Sequence, residues 1–158
     1  MPINDNWTTW IFASVCKHFD SHSNDLYLHI DGTARKTGDH ANVIELRLNG
    51  PIMRELSKNY YQIDAEVNLL IQTAVKHANI YQHRRNLGIA EAACTRYIYL
   101  YQIGSESGAT GNMFGCLTLV NTPRNNGIET KDYGIVRPQV DLQQATVEAT
   151  YRTYLEGD

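Results

Sequence analysis

Between residues 61 and 72 the chain alternates with a period of two. Tyr61, Ile63, Ala65, Val67, Leu69 and Ile71 share one face, and Gln62, Asp64, Glu66, Asn68 and Gln72 share the other. That pattern predicts an antiparallel strand with one side buried and the other wet. A dozen residues is about twice the usual strand length of about 5–6. The same alternation runs through 43–48, with Ile44, Leu46 and Leu48 opposed to Glu45 and Arg47, until Asn49-Gly50-Pro51 breaks it. It returns at 140–155, where Ala145, Val147, Ala149, Tyr151, Thr153 and Leu155 line one face of a last strand. Shorter strands are predicted around Leu26, Leu28 and Ile30, at 96–103 and at 114–120.

Two segments carry the helical period instead. Trp7, Ile11, Val15 and Phe19 recur every fourth position, with Phe12 and Cys16 beside them, behind the N-cap formers Asn4, Asp5 and Asn6. The turn formers at 20–24 predict that this helix ends near Phe19, leaving His22 beyond it. A second helix is predicted over 79–94, with Ile80, Leu87, Ala90 and Cys94 inward. The polar stretches 33–42, 104–111 and 121–133 read as loops. The order helix, three strands, helix, three strands predicts an α+β fold: an antiparallel (mixed) β-sheet with two main helices packed on one face, in a single domain over 1–158.

Composition changes this picture little. A length of 158 residues suits one core, and a formal charge of −3 does not call for a nucleic-acid partner. No apolar run reaches the roughly 18 residues of a membrane span, and the first residues read as no signal peptide, so no membrane partner is expected. Cys16, Cys94 and Cys116 lie far apart without CxxC spacing, which predicts plain buried thiols in a reducing compartment rather than a zinc site. The unusual count is ten tyrosines against three phenylalanines. Tyrosine favours strands, and it also favours surfaces that are half buried in a partner.

No catalytic site is legible. His18 and His22 have chelating spacing but no third ligand, and HExxH is absent, so no metal is expected. His29 is predicted on an outward strand face, and His40 in a loop. The glycine-rich 104–111 lacks the Lys-Ser/Thr of a phosphate-binding loop and precedes a strand, so no nucleotide cofactor is expected. Asp64 and Glu66 share the wet face of one strand, where solvated carboxylates are ordinary. Ser14, Ser57 and Ser105 lack a nucleophile-elbow context. The remaining cluster is basic: Lys76, His77, His83, Arg84 and Arg85 gather at the start of the second helix. Lys76, His83, Arg84 and Arg85 are the candidate contacts to an acidic partner, either a neighbouring subunit or another protein.

Three stretches resemble the tail-terminator and neck (head–tail joining) proteins of tailed bacteriophages. They are 50–72 (Gly50-Pro51-Ile52-Met53-Arg54-Glu55-Leu56 onward), 81–88 (Tyr81-Gln82-His83-Arg84-Arg85-Asn86-Leu87-Gly88) and 142–155 (Leu142-Gln143-Gln144 to Tyr154-Leu155). The layout of helix, hairpin, long strand, helix and hairpin matches as well. The resemblance implies a structural virion protein with no enzymatic activity and no cofactor. It would be assembled in the host cytoplasm into a homohexameric ring that caps the tail tube. Its implied partners are further copies of itself, the tail tube protein and head-completion or connector proteins, with DNA passing through the lumen without tight binding.

Three other readings remain open on the residues alone. One is another neck or tail-tube subunit. A second is a small-molecule-binding enzyme domain with a tyrosine-lined pocket between sheet and helices. The third is a nucleic-acid accessory protein acting through the 76–85 patch.

Overall fold

The computed structural model describes residues 4–33, 42–74, 80–103, 110–120, 127–135 and 142–157. Helix α1 (Trp7–His22) precedes β1 (Tyr27–Ile30), β2 (Asn42–Ser57) and β3 (Tyr60–Ala74). Helix α2 (Ile80–Thr95) precedes β4 (Ile98–Ile103), β5 (Thr110–Leu119), β6 (Ile128–Ile135) and β7 (Leu142–Glu156). The seven strands form one mixed sheet in the order β1-β2-β3-β7-β5-β4, with β6 also paired to β7. The α+β class predicted from the alternation is therefore the observed one.

The alternation is what builds the centre. Strands β3 and β7 pair without interruption from Tyr60↔Glu156 to Ala74↔Leu142. Because side chains alternate with period two, this register places Ile63, Ala65, Val67, Leu69 and Ile71 on the same side as Ala145, Val147, Ala149 and Tyr151. Both helices lie on that side. Ile11, Val15 and Phe19 of α1 and Ala90, Ala93 and Cys94 of α2 join the strand residues in one core. Each fully buried Leu or Ile in it contributes about 1.5–3 kcal/mol. Buried polar tips are satisfied: the Tyr151 hydroxyl donates to the Cys94 carbonyl at 2.8 Å.

Several elements depart from the expectation. Strand β2 does not stop at Asn49-Gly50-Pro51. A register shift between Asn49 and Ile52 absorbs the break, and pairing with β3 resumes to Ser57. Gly50 makes this possible, since its φ is +107° and a Cβ there would lie 2.9 Å from the Ile52 nitrogen. The turn at Lys58-Asn59 closes the hairpin, with Asn59 at φ +63°. Strand β1 runs parallel to β2, with Tyr27 beside Val43, so these two strands are not the expected hairpin. A parallel pair needs the chain to travel back between its strands, which a tight turn cannot do.

A fourth strand follows α2: β6 occupies residues read as the loop 121–133, and the start of β5 takes Thr110 and Gly111 from the loop 104–111. Helix α1 runs three residues past Phe19, to His22, and in that last turn Ser21 Oγ and His22 Nδ1 donate to the Lys17 and His18 carbonyls. Its Asn6 N-cap makes no side-chain capping bond, while Asn4 Oδ1 accepts from Asn6 N–H. Phe12, expected beside the apolar stripe, is exposed.

Edges are treated unequally. Ser14 on α1 accepts from the Tyr101 N–H at 2.9 Å and donates to its carbonyl, so α1 covers the outer edge of β4. Strand β1 covers only Val43 to Leu46 of β2. No helix of the described residues is long and apolar enough to cross a membrane.

Candidate docking surfaces

The predicted basic cluster separates once its helix is folded. His83 turns inward and is only 3% exposed. Its Nδ1 lies 2.9 Å from Thr73 Oγ1 on β3, and its Nε2 lies 3.2 Å from Asp132 Oδ1 on β6. Asn86, one turn further along α2, donates to Thr73 Oγ1 and to Asn42 Oδ1. With Asp132 ionised, the tautomer that donates from Nε2 accepts the Thr73 hydroxyl proton at Nδ1. The donors then run in one direction, from Asn86 through Thr73 and His83 to Asp132. Burial works to raise the Asp132 carboxyl. The Gly134 N–H, the contact with His83 and the nearby Arg84 charge outweigh it and hold the group below its ordinary 3.8. This chain ties α2 to β2, β3 and β6, and His83 is spent on it.

Arg84 stays exposed and approaches Asp132 at 3.8 Å. Arg85 is exposed, with no carboxylate partner among the described residues. Lys76, His77 and His40 lie outside the described residues. What Arg85 joins instead is Arg96, which follows α2, and His22 at the end of α1. The three line a groove of about 420 Å³ between the helices. Sequence spacing hid this grouping, because Arg96 lies three turns beyond Arg85 and His22 was placed beyond its helix.

His18 and His22 do share a helix, with ring centroids 4.4 Å apart, but each ring is occupied. His18 Nε2 faces the Ala93 carbonyl at 2.9 Å, and His22 Nδ1 faces the His18 carbonyl at 2.8 Å. Among the described residues no three His, Cys, Asp or Glu side chains converge as a metal group. All three cysteines are free thiols. Cys94 is buried as expected, and burial pushes its thiol up to about 12. Cys16 and Cys116 are half-buried rather than fully buried, and burial pushes Cys16 up to about 11.

The second surface is the outer side of the sheet. No described element covers the faces of β3 and β7 that carry Asp64, Glu66 and Asn68 beside Glu148, Thr150 and Arg152. Arg152 clasps Asp64 through two nitrogens at 2.7 and 3.2 Å, an ion pair that raises the guanidinium further. Beside that pair Glu66, Glu129 and Glu148 line a groove of about 300 Å³. Toward the β2–β3 turn the face becomes aromatic, with Tyr60 and Tyr154 stacked at 6.0 Å. Six of the ten tyrosines, Tyr60, Tyr81, Tyr97, Tyr99, Tyr133 and Tyr154, are exposed. The tyrosine surplus is therefore a surface property.

The space between sheet and helices, where a small-molecule reading would put its pocket, is filled by Ile11, Val15, Phe19, Ile63, Leu69 and Tyr151. No protein family matches the chain, and no curated protein matches it.

Proposed function

We propose that the chain is a structural subunit of a tailed-bacteriophage virion. Copies of it form a ring, six to the ring, that caps the tail tube and joins it to the head. The observation that carries the reading is the outer side of the β2–β3–β7 platform, which no described element covers and whose strands run 15–16 residues. A sheet this long, packed on a continuous core on one side, keeps a polar surface on the other that no helix of the described residues covers. Such a surface costs nothing in water and becomes useful when another protein meets it.

Two further observations support the reading. The stretches that resemble tail terminators, 50–72, 81–88 and 142–155, fall on the platform strands and on the helix that flanks the Arg85 groove. The exposed tyrosines combine large contact area with few rotatable bonds, the property that enriches them at protein interfaces. The proposed partners are other copies of the chain, the tail tube protein and the head-side connector, with DNA passing through the lumen. No reaction, cofactor or metal forms part of the reading.

Light scattering on a sizing column and negative-stain micrographs of the purified chain test it. Rings, alone or on the ends of tail tubes, are expected. Particles that stay monomeric both alone and when mixed with tail tubes would sink it.

A further inference from the structure

Ring closure needs two unlike surfaces on each copy, because head-to-tail contacts are heterologous. Charge singles out which two. On the helix side, Arg85 and Arg96 border a groove with His22, and neither guanidinium has a carboxylate partner among the described residues. The groove is open where a side chain would narrow it: a Cβ on Gly88 would meet nothing within 4 Å. On the sheet side, Glu129 and Glu148 stand directly opposite each other across the β6–β7 pair, and Glu66 lines the same groove from β3. Like charges in directly opposed positions work against a sheet. Lys131 approaches Glu129 at 3.5 Å, and Arg152, which lines the same groove, is paired with Asp64, so among the described residues neither Glu66 nor Glu148 has an ion pair. The core lies between these two surfaces, so they cannot meet within one copy.

We infer that the Arg85/Arg96 groove of one copy receives the Glu66/Glu129/Glu148 face of the next. This inference rests on the ring reading and specifies its subunit contact. Each copy then has its unbalanced cations answered on one side and its unbalanced carboxylates on the other. The arrangement also answers Glu148, which stands opposite Glu129 and has no ion pair of its own among the described residues. A guanidinium placed between two carboxylates turns their repulsion into attraction and can bond both.

Two charge-reversed chains test the contact. The first carries Arg85→Glu and Arg96→Glu, and the second carries Glu66→Lys and Glu148→Lys. All four positions are exposed, so circular dichroism and melting of each variant should match the parent. Alone, each variant should assemble on the order of a hundredfold more weakly than the parent, because every contact sets like charges together. Mixed in equal amounts, they should regain rings in which the two chains alternate, since every contact is again complementary.

Parent rings with variant rings of undiminished stability would overturn the assigned surfaces while leaving the ring reading in place. Well-folded variants that fail alone and also fail when mixed would overturn the direct pairing. A parent chain that never assembles would defeat the ring reading itself. Rings that persist in the Arg85/Arg96 variant, with only retention on heparin lost, would assign the groove to a polyanion instead.

Discussion

Burial removes water from the His18 ring and lowers its proton affinity. The bond to the Ala93 carbonyl works the other way, and the neighbouring His22 and Arg96 charges lower it again. The net direction is below the ordinary 6.5. Since a carbonyl can only accept, Nε2 carries the proton of the neutral ring. A histidine depressed in the folded state binds its proton more readily when unfolded. Its contribution to stability is therefore complete above about pH 6.5 and is lost as pH falls from there toward the folded value. The melting temperature should drop as pH falls below about 6.5, and His18→Gln, which keeps a donor without titrating, should flatten that slope. A second residue-scale prediction concerns Thr73, which relays between Asn86 and His83. Thr73→Val keeps the shape but leaves the His83 Nδ1 and an Asn86 proton without their partner, at a cost of about 1–3 kcal/mol by denaturant unfolding. A loss under about 0.5 kcal/mol would mean that the relay contributes little.

At the scale of elements, the sheet depends on two local devices, one of the backbone and one of a side chain, as well as on its apolar faces. Gly50 lets β2 pass its break and resume pairing with β3, so the strand gains its distal half, from Ile52 to Ser57. Gly50→Ala would press a Cβ against the Ile52 nitrogen and the Asp64 carbonyl in a left-handed backbone region, destabilising by about 1–3 kcal/mol. Hydrogen exchange should place the loss in the distal hairpin, with β3–β7 amides still protected. The other device is Asp132, which docks β6 to α2. Its carboxyl is held below 3.8, so its contribution is present above that value and is lost as pH falls through the lower, folded value. Acid should therefore release β6 from α2 only below about pH 4, and proteolysis of the 127–135 segment as a function of pH would show it. The exposed Arg47–Asp31 pair is a contrast, with both side chains about half in water. Pairs of that kind are worth about 0–1 kcal/mol.

For the whole molecule, the charge arrangement carries its own prediction. Surface pairs between copies are screened as the Debye length shrinks from about 10 Å at 0.1 M salt to about 3 Å at 1 M. Assembly through the Arg85/Arg96 groove should weaken over that range, measured as a rise in the concentration at which rings dissociate on a sizing column. Assembly that strengthens with salt would assign the contact to the exposed tyrosines and apolar tips instead, because salt favours apolar burial.

Much of this architecture was legible along the chain. Long alternation names its own buried face, so β3, β7 and the proximal half of β2 could be read directly, as could Trp7, Ile11, Val15 and Phe19 of α1 and Leu87, Ala90 and Cys94 of α2. Binary patterning is a local signal, and each of those elements is buried on one side only. Strand β6 escaped because Ile128-Glu129-Thr130-Lys131-Asp132 packs only Ile128 against the core and is held by pairing to β7, which leaves no apolar alternation. The parallel pairing of β1 and the resumption of β2 after Gly50 escaped because register and direction are relations between segments. The same limit governed the candidate site. Sequence grouped Lys76, His83, Arg84 and Arg85 by proximity along the chain. Folding sent His83 into the core and brought Arg85 to Arg96 and His22, and only a helix of known length and a packed neighbour could decide that exchange.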